Sequence, residues 1–236
     1  MMKEFSNRYI FIFSSVMVII VATLLSLAAT VLQPRQLKNL EIEKKKSMLE
    51  SIGIPSIRET TEDLYDKYIK ESFVINIKGE VVDGVDAFPV DVVVEQKKPL
   101  EQQYLPVFFA TIDNREKVTI LPVQGKGLWG PIYGYVSLKP DLNTIYGVTF
   151  DHKGETPGLG AEINTTSFES MFPGKQLYEA GKFVSIGVIK GGAKPGDKHD
   201  VDAISGGTIT SKGLEKMLQD CLYKYNDYLI NNRNKI

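Results

Sequence analysis

The chain has 236 residues, with 28 basic and 29 acidic side chains and a formal net charge of −1. That balance leaves no basic footprint for nucleic acid, and the length allows one anchored domain or two small ones. The one cysteine, Cys221, excludes an internal disulfide and a cysteine cluster for zinc or iron–sulfur.

Tyr9 to Leu32 carries no charged residue. A helix of that length crosses roughly 30 Å of hydrocarbon with some tilt. The rival is a cleaved signal peptide, with Ser26-Leu27-Ala28 as a small-residue cleavage site. Signal h-regions run to about 7–15 residues, shorter than this stretch, so an uncleaved anchor over residues 9–32 is expected. Lys3 and Arg8 precede the span; Arg35, Lys38, Lys44, Lys45 and Lys46 follow it. Counted alone, these charges put the large domain in the cytoplasm, although the rule weakens for long domains.

Residues 33–55 read as a helical stalk, with Leu37, Leu40, Ile42, Met48, Leu49 and Ile52 among charges and Pro55 as its stop. Its lysine run is a solvated face within reach of lipid head groups. Ser56 to Glu71 reads as a second helix, with Ile57, Leu64, Tyr65, Tyr68 and Ile69 on one side. Ser72 to Ile77 reads as a strand ending in a turn at Lys78-Gly79-Glu80. Ala87 to Glu95 alternates partly around Val90, Val92 and Val94. Val107–Ile112, Val118–Val123 and Ile132–Leu138 read as strands, and Thr144–Phe150 as the antiparallel partner of the last. Phe183 to Ile189 is one more. Leu214, Met217, Leu218, Cys221, Leu222, Tyr225 and Leu229 then recur at helical spacing, which makes Cys221 a core residue. Strands in the middle and helices at both ends predict an α+β domain around a mainly antiparallel sheet flanked by helices.

Three loops carry the candidate chemistry. Gly125 to Tyr135 holds the only tryptophan, Trp129, among four glycines and a proline. Either it plugs the edge of the core, or it offers an aromatic surface to a planar ring. His152 to Ile163 follows a strand. Here Pro157 stiffens the backbone, Gly158 and Gly160 let it approach a ligand, and Glu155 and Thr156 supply hydrogen-bonding groups; a plain structural turn accounts for the same residues. The two histidines, His152 and His199, lack the company a metal site needs. No Ser-His-Asp spacing, phosphate-binding Walker loop or dinucleotide fingerprint occurs, so no catalytic residue is assigned.

The third loop is Asp202 to Ser211. Gly206 and Gly207 sit among Ser205, Thr208, Thr210 and Ser211, just before the final helical pattern. A helix start with free N–H groups and a partial positive charge suits a phosphate. A Thr or Ser N-cap would explain one of these hydroxyls, or two, but not the adjacent glycines.

Asp202-Ala203-Ile204-Ser205-Gly206-Gly207-Thr208 closely resembles the Asp-x-x-Ser/Thr-Gly-Ala-Thr flavinylation motif. In that motif a flavin transferase joins FMN, through its phosphate, to the threonine hydroxyl. The resemblance implies covalent FMN on Thr208, with Thr210 as runner-up. Gly207 replaces the usual alanine, which blocks nothing sterically but is more flexible, so modification is expected to be slower or incomplete.

Together with the N-terminal span, Pro122 to Trp129 and Glu155 to Gly160, this motif resembles the NqrC family, the C subunits of the sodium-translocating NADH:quinone reductases. Glu155–Gly160 and Asp202–Thr208 are shared with the G subunit of the Rnf complex, so that family stays as the alternative; Pro122–Trp129 favours the quinone reductase. The resemblance implies a cytoplasmic tail over residues 1–8 and an FMN-binding domain over 56–236 on the periplasmic face of a bacterial inner membrane, the opposite side from the charge count. It implies the A, B, D, E and F subunits as partners, with electrons passing from an iron–sulfur centre to the FMN of the B subunit and coupled to sodium export. It also implies Ser205, Gly206 and Gly207 around the phosphate, and Trp129, Glu155, Thr156, Gly158, Leu159 and Gly160 along the ring and ribityl chain. A reading of another class is a membrane-anchored sensor with no redox role; the eight residues before the span leave little for a signalling domain.

Overall fold

The computed structural model describes residues 6–112 and 116–233. It divides into two compact units, Met1–Lys44 and Lys45–Ile236. The first unit is most of helix α1 (Asn7–Ser51), which is long and apolar enough to cross a membrane and leaves its large apolar side chains exposed. The hydroxyls of Thr23 and Thr30 donate to the carbonyls of Ile19 and Ser26, at 2.8 and 2.9 Å. Those bonds satisfy polar groups that hydrocarbon could not.

The second unit begins within α1. Helix α2 (Thr61–Tyr68) runs directly into β1 (Ile69–Ile75), followed by β2 (Val81–Val82) and the short helix α3 (Val92–Glu95). Four longer strands follow: β3 (Leu105–Thr111), β4 (Lys117–Lys126), β5 (Pro131–Leu138) and β6 (Ile145–His152). Then come α4 (Thr166–Glu169), β7 (Tyr178–Glu179), β8 (Lys182–Phe183), β9 (Gly187–Ile189), β10 (Asp200–Asp202), α5 (Thr208–Lys224) and α6 (Asn226–Asn232). The central sheet has six strands in the order β2-β1-β3-β4-β5-β6, every neighbour antiparallel. A parallel pair, β9 and β10, lies apart from it. The architecture is the expected α+β arrangement of a mainly antiparallel sheet with helices.

Local readings needed four corrections. The helix expected over Ser56–Glu71 is confined to Thr61–Tyr68, because Ile69–Ile75 pairs with β3 instead. Ala87–Glu95 is not extended: Asp91 Oδ1 accepts the N–H of Val93 at 2.8 Å and caps a helical turn. The strand expected over Phe183–Ile189 is cut in two at Ser185, whose φ is +64°. The final helical pattern is two helices, interrupted at Tyr225.

Period-2 alternation sends the strand side chains into two cores. One face of the sheet gathers Val107, Phe109, Leu121, Val123, Val136 and Phe150 against Leu214, Leu218, Leu222 and Tyr225 of the C-terminal helices. The other gathers Val74, Phe108, Ala110, Val118, Ile120 and Tyr135 against Met48, Leu49 and Ile52. Ile69 joins the second face with Val74 because the register shifts between Ile69 and Glu71. Ser51 Oγ donates to the carbonyl of Met48 at 2.6 Å and lies 2.7 Å from Ser137 Oγ. A Cβ at Gly147 would sit 2.5 Å from the Ser51 carbonyl oxygen, so only glycine admits the end of α1 this close to β6.

Candidate functional site

Three segments distant in sequence meet around one carboxylate. The first is the β4–β5 loop, closed by the Gly127 N–H donating to the Gly130 carbonyl at 2.8 Å. The second leaves β6 and runs over residues 153–160. The third is the start of α5. Glu155 Oε1 accepts the N–H of Trp129 at 2.8 Å, and Oε2 accepts the Thr210 hydroxyl at 2.5 Å. Its own N–H donates to His152 Nδ1 at 3.2 Å.

Glu155 is only 4% exposed. Burial pushes its carboxyl up, but hydrogen bonds from Thr210, Trp129 and Gly130 and the nearby His152 outweigh that and hold it below the ordinary carboxylate value. It is therefore ionised at neutral pH. Two glycines make room for it: a Cβ at Gly127 would lie 2.5 Å from Oε1, and one at Gly160 would lie 2.5 Å from Oε2.

The helix start is open. Gly207 is the N-cap of α5 and supplies no side-chain cap, so neither serine nor threonine takes that position. Ser211 instead reaches back: its Oγ accepts the Ile204 N–H at 3.1 Å. Thr210 and Ser211 are buried, whereas Ser205 and Thr208 are exposed. The first N–H groups of a helix lack intrahelical partners and carry partial positive charge. Gly206 has φ +76°, and a Cβ there would lie 2.5 Å from Leu159 Cδ2. The third loop thus folds tightly under the second. Asp202 Oδ1 accepts the Ala193 N–H at 2.7 Å, which pins the β9–β10 connection.

Exposed apolar side chains come from the same three segments: Trp129 at 69% exposure, with Leu128, Leu159 and Ile209. Trp129 therefore does not plug the core. Thr156 and Gly158 are exposed as well. The Thr156 carbonyl accepts the N–H groups of Leu159 and Ala161, both at 3.1 Å, and the Gly158 N–H donates to Glu162 Oε1 at 3.0 Å. A cleft of about 1020 Å³ continues from Lys126 and Gly130 along α5 to Tyr223. An uncapped helix start, two exposed hydroxyls and an exposed apolar surface can hold a phosphorylated ligand with a flat ring. Among the described residues no group of three or more His, Cys, Asp and Glu could hold a metal ion.

Sequence reasoning singled out Ser205, Gly206, Gly207, Thr208, Thr210, Trp129, Glu155, Thr156, Gly158, Leu159 and Gly160, and these residues lie on the three segments described. It missed Leu128 and Ile209, and the bracing by His152 and Ser211. Ile209 left a readable signal: an isoleucine between two threonines, off the buried stripe of α5.

A family profile described as "FMN-binding domain" matches residues 127–223. The C subunit of the Na(+)-translocating NADH-quinone reductase of Vibrio vulnificus is 33% identical over 213 residues, covering 84% of this chain and 83% of the relative. That of Pseudomonas aeruginosa is 34% identical over 219 residues, covering 84% of each. Among solved structures, the corresponding protein from Parabacteroides distasonis superposes with a TM-score of 0.78 at 42% identity, covering 84% of this chain and 96% of that one. NqrC of Shewanella oneidensis gives 0.71 at 29% identity, with 82% and 97% covered.

Proposed function

The chain belongs to the NqrC family, the C subunits of the Na(+)-translocating NADH-quinone reductases, and on that premise we propose that it is the flavin-carrying electron-transfer subunit of such a complex. FMN, when bound, supplies a carrier that takes up and returns electrons; the protein holds it and sets its potential. The flavin is joined through its phosphate to Thr208 Oγ1. The contrast between two threonines carries this reading. Thr208 is exposed at the uncapped helix start, while Thr210 is 1% exposed with its hydroxyl committed to Glu155.

Each segment then has a task. The backbone N–H groups at the start of α5, with Ser205, Gly206 and Gly207, hold the phosphate. Trp129, Leu128 and Leu159 cover the ring and keep water from it. Thr156, Gly158 and Gly160 shape the loop that carries Leu159. Glu155 fixes the spacing between hairpin loop and helix. Gly207 leaves the entry open to a flavin transferase.

Helix α1 serves as a single-pass anchor, with the second unit on the periplasmic face of the inner membrane. There a tether keeps the cofactor from being lost. The remaining subunits, A, B, D, E and F, are its partners, and electron flow through them is coupled to sodium export.

The experiment is co-expression with a flavin transferase, denaturation in SDS and ultraviolet fluorescence of the gel band. Fluorescence is expected in Thr210→Ala and absent in Thr208→Ala. The reverse moves the ester to Thr210, and a dark band from the unsubstituted protein sinks the covalent reading. Protease added to spheroplasts should digest the second unit; a protected domain overturns the periplasmic placement. Co-purification with sibling subunits tests membership of the complex.

A further inference from the structure

The site contains a charge that the attachment chemistry leaves unused. Glu155 does not reach the exposed surface, and both its oxygens already accept protein hydrogen bonds. One bond ties it to the residue that presents the exposed indole. The other ties it to the residue two positions along α5 from Thr208. A negative charge therefore sits one hydrogen bond from each segment assigned to the ligand. With 4% exposure, its charge is screened by water and salt less than a carboxylate on the open surface would be.

We propose that the Glu155 carboxylate keeps the reduction potential of the bound flavin low, through its charge alone and without touching the phosphate. The proposal rests on the FMN reading given above. Reducing an oxidised flavin takes in two electrons and, at neutral pH, one proton, so the ring becomes more negative by one charge. The electrons come from NADH in the complex and from dithionite in the test. A fixed anion nearby disfavours that added charge, so the flavin releases electrons more readily to the next carrier. Glu155 is thus a positioning and potential-setting residue, not a catalytic one.

Glu155→Gln tests it. The amide oxygen can still accept the Trp129 N–H, and the amide nitrogen can donate to the Thr210 hydroxyl, which turns to accept. The shape is kept and the charge is gone. Flavin load is measured first, by the flavin absorbance of the native protein; an unsubstituted protein without flavin overturns the FMN reading and this proposal with it, whereas the titration of loaded protein tests this proposal alone. Reductive titration of loaded protein then gives the potential. Glu155→Gln should favour the reduced flavin by at least about tenfold, a rise of about 30 mV for a two-electron couple. Glu155→Asp, which keeps the charge, should stay near the unsubstituted value. A fully loaded Glu155→Gln with an unchanged potential overturns the proposal. So does an Asp variant that rises as far as the Gln variant, because geometry would then be the cause.

If Glu155→Gln does not fold, Thr210→Val removes the hydroxyl that helps keep the carboxyl ionised. Its potential should climb more steeply than the unsubstituted protein's as pH falls, because a carboxylate that has lost a supporting hydrogen bond protonates before the native one does. Parallel curves overturn the proposal.

Discussion

The two faces of the central sheet use the same strands and are closed by opposite ends of the chain. One face is covered by α5 and α6, and the first turn of that cover carries the candidate site. The other is covered by the last turn of α1, through Met48, Leu49 and Ile52. Each core contains a fully buried leucine in its cover, Leu49 on one face and Leu218 on the other, both 0% exposed. What differs is what each cover continues into. On the first face it is a helix start built from glycines and hydroxyls; on the second it is a long apolar helix.

The strongest way to break that comparison is to cut a hole in each core. Leu49→Ala and Leu218→Ala should each cost about 2–5 kcal/mol in chemical unfolding of the second unit. Only Leu218→Ala should also loosen the flavin, read as a fall in its fluorescence anisotropy. Equal loosening by Leu49→Ala would mean that the two faces are not separate in function.

A smaller effect sharpens the second face. Ser137→Ala removes one buried hydrogen bond but leaves Ser51 bonded to the Met48 carbonyl, so a loss of about 1 kcal/mol is expected, with no change at the site.

A pH-dependent effect lies at the sheet edge between the faces. Glu169 Oε1 accepts the Phe150 N–H at 2.7 Å. Burial, with Glu50 and Asp151 nearby, pushes its carboxyl up to about 7 against the pull of that hydrogen bond. Between the ordinary value of 4.5 and about 7 the folded chain holds a proton that the unfolded chain has lost. Stability should therefore decline as pH rises across that window and level off above it. Glu169→Gln should flatten this part of the thermal-unfolding profile; an unchanged slope would assign it to other groups.

Much of this was legible in the sequence because it is local. The four strands β3 to β6 announce themselves by apolar runs between turn residues, and α5 by its stripe from Leu214 to Leu222. The readings that failed depended on distant partners. Ile69 and Lys70 continue a good helical pattern, yet pairing with β3 recruits them into a strand. Val92 to Val94 are strand formers, and one aspartate cap overrides them. The same divide runs through the site. Glycines and hydroxyls near Thr208 mark it from sequence alone. That Glu155 would reach Thr210 across 55 positions, or that Ser211 and not a cap residue would steady the loop, depends on how the sheet brings three loops together.

The docking of Met48, Leu49 and Ile52 sets where the second unit can be severed from its helix without harm. A cut near Ser26–Ala28, or anywhere up to Lys44, would release a fragment with its sheet still fully clothed. A cut between Met48 and Gly53 would remove residues that cover one side of the sheet and open Phe108, Ile120 and Val118 to water. Shedding enzymes and expression designers therefore face the same boundary, a few residues inside the helix and well before the first strand.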